Sequence, residues 1–148
     1  MSTRLLVKAP VDMALGERAE IDQDPDRWIN GRPRVTVIDV VLLAMPRSSI
    51  SRLSGVYFVT PRLLDAVQVN GLSGLSEREF TMSFDPQMAG LGEFDGRELP
   101  DLRCVEVWGD AATDDFAHLE GRSGLVVSPG ALAVLRSFDL TDVRVEPL

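Results

Sequence analysis

The sequence predicts an α+β domain with a mixed or mostly antiparallel sheet and short capped helices. Three observations lead there. Short apolar runs rich in valine recur between clusters of Gly, Pro, Asn and Asp, which is how strands and turns alternate. Two stretches place Thr or Ser directly before Pro and then a leucine-bearing run, which is how short helices begin. Each of these stretches lies between two strand-like runs, so a strand–helix–strand unit occurs twice, over residues 54–80 and 123–148.

From the N-terminus, Leu5 to Val7 form a short apolar stretch stopped by Pro10. Residues 20–34, EIDQDPDRWINGRPR, carry turn chemistry, with Asn30-Gly31 as a tight turn and Trp28 expected to anchor the loop on the core rather than to form a contact hot spot, the alternative for a lone Trp in a polar loop. Residues 35–45, VTVIDVVLLAM, lie between Pro33 and Pro46 and read as a buried strand, although the LLAM end also suits the start of a helix. Asp39 interrupts this run and needs a partner or an exposed position.

In the first unit, Val56 to Val59 is the strand, Thr60 the N-cap and Pro61 the first helical residue. Leu63, Leu64 and Val67 form the apolar face, and Asn70-Gly71 ends the helix before Leu72 starts the return. The second unit repeats the plan. Leu125 to Val127 lead to Ser128 and Pro129, Leu132 and Leu135 share a face, and Val143 and Val145 alternate after Leu140. Val59/Val127, Pro61/Pro129, Leu64/Leu132 and Leu72/Leu140 are identical at equal spacing, which favours a structural repeat by a small margin over two independent uses of the same cap. Between the units, Phe80, Met82 and Phe84 alternate as a strand, and a glycine-rich loop follows. Residues 103–108 form another strand, with Cys104 and Glu106 on one face and Val105 and Val107 on the other, and residues 110–120 form an acidic turn or short helix.

The chain of 148 residues suits a single compact domain, 1–148. One cysteine, Cys104, permits no internal disulfide and suits a reducing compartment. The N-terminus has no signal-peptide pattern, and the longest apolar run, residues 40–45, is too short to span a bilayer, so a cytoplasmic protein without membrane association is expected. The net charge is −8, and all of it falls in residues 81–120, where ten acids face only Arg97 and Arg103. Such a surface repels nucleic acid and attracts a basic protein, although acidic loops also serve plain solubility.

Few residues suggest chemistry. Residues 90–96, GLGEFDG, lack the glycine spacing and the flanking strand and helix of a phosphate loop, so a flexible loop is expected. Asp114, Asp115 and His118 would make a metal site in outline if they shared a helical turn, but His118 is the single histidine, and an exposed acidic turn explains them as well. Thr60 and Ser128 are explained as caps, and Cys104 as a packed thiol. No catalytic residue, cofactor or metal is expected from this pattern.

The C-terminal residues LVVSPGALAVLRSFDLTDVRVEPL, preceded by DDFAHLEG and by LPDLRCVEVWG, resemble the ends of Imm11-like immunity proteins. The resemblance covers about the last third of the chain. It implies a cytoplasmic antidote that binds one cognate domain of a bacterial polymorphic toxin and blocks it. A basic toxin domain would meet the acidic segment, with Trp108 as a central aromatic contact and Asp110, Asp114, Asp115 and Glu120 as the expected partner-binding residues. Two other classes stay open: a small enzyme or ligand-binding domain with a pocket between the two units, and an assembly adaptor of a phage or secretion particle.

Overall fold

The computed structural model describes residues 3–148. Its strands are β1 (Leu5–Lys8), β2 (Met13–Leu15), β3 (Glu20–Ile21), β4 (Val35–Val37), β5 (Asp39–Leu42), β6 (Ile50–Leu53), β7 (Val56–Val59), β8 (Leu75–Arg78), β9 (Thr81–Phe84), β10 (Arg103–Val107), β11 (Phe116–Ala117), β12 (Leu125–Val127) and β13 (Arg144–Pro147). Its helices are α1 (Pro61–Val69), α2 (Pro86–Gly90) and α3 (Pro129–Leu135), with a 3-10 turn at Pro25–Arg27. The fold is α+β, and its sheets are mostly antiparallel.

Two four-stranded sheets dominate, in the orders β11-β12-β1-β13 and β6-β7-β10-β8. They share one connectivity. In each, two sequential antiparallel strands lead into a helix, and the strand after the helix returns to the far side of a central strand borrowed from elsewhere in the chain. This is a split β-α-β arrangement, with β1 the borrowed strand in one sheet and β10 in the other. A third sheet, β2-β5-β9, contains the parallel pair β5–β9, and β3 and β4 form a separate two-stranded arm.

All three helices begin in the same way. Thr60, Asp85 and Ser128 each accept a hydrogen bond from the amide three residues on, and each is followed by Pro at the first helical position. Two such caps are expected from the sequence; α2 is the third. Helices α1 and α3 pack against each other and bury Leu63, Leu64 and Val67 from one and Ala131, Leu132 and Leu135 from the other.

The central core lies between these helices and the two large sheets, around Val7, Tyr57, Val59, Val105, Val107, Phe116, Leu125 and Val127. A second core fills the opposite side of β7 and β10, where Val56, Phe58 and Cys104 meet Met13, Val40, Leu42, Phe94 and Leu102. Alternate residues of β7 and β10 therefore enter different cores, which explains why VYFV is apolar at every position.

Several expectations need correction. Residues 35–45 form neither one strand nor a helix start: β4 and β5 separate at Ile38 and join different sheets, and the chain bends after Leu42. Trp28 is 37% exposed and donates from Nε1 to the Asp22 carbonyl at 3.3 Å, so it braces its own loop rather than entering the core. The loop at residues 90–96 is fixed by Phe94, which is buried and stacks on Phe84 at 4.4 Å between ring centroids. Residues 110–120 contain no helix, only turns followed by β11. Asp39 does find partners: its carboxylate accepts from Thr81 Oγ1 at 2.5 Å and from the Arg18 amide at 3.1 Å, and these bonds hold its pKa below the ordinary carboxylate value.

Candidate partner-binding face

Strand β10 runs out at Val107 and delivers Trp108 to the surface, where the side chain is 46% exposed. The Trp108 amide donates to the Gly74 carbonyl at 2.9 Å, and its indole Nε1 donates to Ser76 Oγ at 2.7 Å. A large ring is thus held in one orientation at the end of β8 before any partner arrives.

The following loop is braced from several sides. Asp110 Oδ1 accepts from the Ala112 amide at 2.7 Å, while Asp114 Oδ2 accepts from the Asp110 amide at 2.7 Å. The Arg4 guanidinium donates to the Asp114 carbonyl. Asp115 ties the two repeated units together: it accepts from Ser128 Oγ at 2.6 Å and from the Ser73 amide at 2.9 Å. Ser128 at the same time caps α3, so the start of one helix is bonded to the turn that follows the other. Burial pushes the Asp115 pKa up, and the hydrogen bonds from Ser128 and Ser73 outweigh that push, so it ends below the ordinary carboxylate value.

Two glycines allow the close approach. A Cβ on Gly109 would lie 2.0 Å from the Phe116 carbonyl oxygen, and one on Gly74, where φ is +105°, would lie 2.1 Å from the same atom. Glu120 is exposed and covers the Asn30-Gly31 turn, where a Cβ on Gly31 would meet Glu120 Cγ at 2.6 Å. Asn30 Nδ2 donates to the Gly109 carbonyl at 3.2 Å, which fastens that turn to the Trp108 loop.

The five residues expected at a binding face therefore separate. Trp108, Asp110 and Glu120 are exposed, whereas Asp114 and Asp115 are half-buried and use their carboxylates to hold the loop. His118 goes elsewhere. It is 4% exposed and shares a 3.1 Å hydrogen bond with the Tyr57 hydroxyl. Burial pushes its pKa down to about 4, and the charge of Arg32 adds to that, so it is neutral at pH 7. The Asp114, Asp115 and His118 side chains bond to the Asp110 amide, Ser128 and Tyr57 respectively, and no group of three or more ligating side chains is gathered among the described residues. Cys104 is fully buried, with its thiol pushed up to about 12 by burial. The cavity beside His118, lined by Arg32, Arg34 and Glu106 among others, measures about 10 Å³, room for a single water.

Sequence reasoning missed a groove at the opposite end of β10 from Trp108. It measures about 1040 Å³ and runs along residues 77–81, facing Thr36, Val37 and Ile38 of the arm and Leu102 and Arg103 at the start of β10. The alternating S-E-R-E of residues 76–79 was its only signal in the sequence. Arg78 crosses beneath it to Glu106 at 3.1 Å and to the Thr36 carbonyl at 3.0 Å, and Arg34 reaches the same Glu106 at 2.9 Å. This triad, with Glu106 buried and both arginines partly exposed, pins the β3–β4 arm to the sheet.

No protein-family model, curated protein or solved structure matches the chain. No helix among the described residues is long and apolar enough to cross a membrane.

Proposed function

We propose that this chain is an immunity protein, a cytoplasmic antidote that binds one cognate bacterial toxin domain and blocks it by occupying its working surface. The observation that carries the reading is Trp108: a large amphipathic ring, 46% exposed, yet fixed by Ser76 and set in a cross-braced loop. Aromatic side chains of this kind supply much of the energy at protein interfaces, and ordering them beforehand removes an entropic cost of binding.

The charge pattern supports the same reading. Glu93, Asp95, Glu98, Asp101, Asp110 and Glu120 are all exposed, in the acidic segment 81–120 that favours encounter with a basic partner. The C-terminal residues that resemble Imm11-like proteins form β11, β12, α3 and β13, which lie directly behind the Trp108 loop through Asp115 and Ser128. On this reading the chain contributes a complementary surface and no bond-making chemistry.

The test is neutralisation. On this reading a gene adjoining this chain's encodes the toxin domain, which is expressed alone and together with it. Rescue of growth and a stable complex of the two purified proteins are expected. Undiminished toxicity, with the chain folded and present in excess, would overturn the proposal.

A further inference from the structure

We infer that the free edge of β8 accepts an extended, basic segment of the partner as an added strand, running alongside Trp108. The inference rests on the binding reading above and specifies how the partner is held.

Strand β8 ends its sheet, with β10 on one side and no strand on the other among the described residues. The direction of its backbone groups follows from the register. Trp108 donates to Gly74, and Glu106 and Cys104 stand opposite Ser76 and Arg78. Antiparallel pairs alternate between bonded and non-bonded, so Ser76 and Arg78 bond to β10 while the N–H and C=O of Leu75 and Glu77 point away from it. Glu77 lines the groove of about 1040 Å³, as do Thr36 and Val37, and Leu75 lies two residues before it on the same edge. Val37 is 42% exposed and offers apolar contact there. A strand is about 5 Å from its neighbour and needs one such channel beside an open edge.

The charge selects the occupant. Two of the four charged residues lining the groove are arginines, and both are in ion pairs: Arg78 shares Glu106 with Arg34, at 3.1 Å and 2.9 Å, and Arg103 pairs with Asp101 at 2.7 Å. Glu77 and Glu79 form no ion pair among the described residues; with the ion-pair partners Glu106, Asp101 and Arg34 counted, four acids stand against three arginines, which leaves the groove negative by one charge. An added strand with Lys or Arg at alternate positions complements it, because opposite charges across strands attract and like charges repel. A second copy of this chain would bring a negative groove to a negative groove. Ser76 joins the edge to the binding face, since its hydroxyl holds the Trp108 ring.

The experiment uses an alternating lysine–valine peptide of about eight residues, the usual span of a strand, with a glutamate–valine peptide as control. Amide hydrogen exchange and titration are measured on the full chain. Binding of the lysine peptide at least about tenfold tighter than the control is expected, with new protection at the Leu75 and Glu77 amides. Glu77→Pro removes an N–H that β10 does not use, and edge strands accept Pro at such positions; it should abolish binding, and Glu77→Gln should weaken it only in part. No binding, protection away from residues 75–79, or binding unchanged in Glu77→Pro at an unchanged melting temperature would each overturn the inference. Protection of Leu75 and Glu77 that grows with protein concentration alone would do so too, by showing a second copy on the edge. If the peptide fails while toxin rescue succeeds, the partner docks elsewhere and the immunity reading stands.

Discussion

His118 should make this protein acid-sensitive well above the range in which carboxylates titrate. It is buried, hydrogen-bonded to Tyr57, and has its pKa pushed down to about 4 by burial and then by Arg32. In the unfolded chain the imidazole returns to about 6.5. The folded state therefore binds fewer protons between those values, and stability falls as the pH drops through 6.5 towards 4. A shift of this size corresponds to roughly 3 kcal/mol in full, of which about 2 kcal/mol is lost between pH 7 and pH 5. Asp39 and Asp115 have lowered pKa values, so their contributions are intact above the unfolded carboxylate range and are lost only at lower pH. The window from pH 7 to pH 5 thus isolates the histidine. Urea unfolding across that window measures the effect, and His118→Phe should flatten the pH dependence while lowering stability at pH 7 by orphaning the Tyr57 hydroxyl. An imidazole that titrates near 6.5 in the folded protein by NMR would refute the reasoning.

Three further outcomes follow from the packing. Thr60→Ala should cost about 1 kcal/mol as a lost cap, and Ser128→Ala should cost more, because Asp115 then also loses a hydrogen-bond donor; equal costs in urea unfolding would remove Asp115 from the account. Leu135→Ala, at a 1% exposed site in the central core, should destabilise by about 2–5 kcal/mol, and a loss within surface noise would mean that α3 is wrongly seated. Gly109→Ala should lower the melting temperature sharply because its Cβ would overlap the Phe116 carbonyl, and an unchanged melting temperature would show that the loop is not tightly braced.

What the sequence revealed was local. Thr60-Pro61 and Ser128-Pro129 announce their helices because capping is satisfied within four residues. Asp85-Pro86 carries the same signature, but the glycine-rich stretch after it obscured a helix of five residues. Strand pairing is not local. Nothing in LLVK shows that β1 becomes the central strand of a sheet formed with the C-terminus, 118 or more residues away. Phe94 looked like one apolar residue in a polar loop, and only the fold places it on Phe84. At the candidate site, Trp108 was legible as an aromatic beside acids, and the structure leaves it exposed. The separate fates of its neighbours were not legible. Asp114, Asp115 and His118 adjoin in sequence, but their partners, the Asp110 amide, Ser128 and Tyr57, come from three different parts of the chain.

The central claim is that Trp108 anchors a partner and that exposed acids steer it. The decisive measurement is the kinetics of binding to the cognate toxin domain, with Trp108→Ala and the double reversal Asp110→Lys, Glu120→Lys compared against the unaltered chain. Those two are the exposed acids of this face, whereas Asp114 and Asp115 are half-buried; because Asp110 Oδ1 also accepts from the Ala112 amide, the reversal is compared only at a matched melting temperature. Trp108→Ala should speed dissociation by about thirtyfold with little change in association, as loss of a central contact worth about 2 kcal/mol requires. The double reversal should slow association and flatten its salt dependence while leaving dissociation nearly unchanged. Unaltered dissociation in Trp108→Ala, with the melting temperature preserved, would contradict the account.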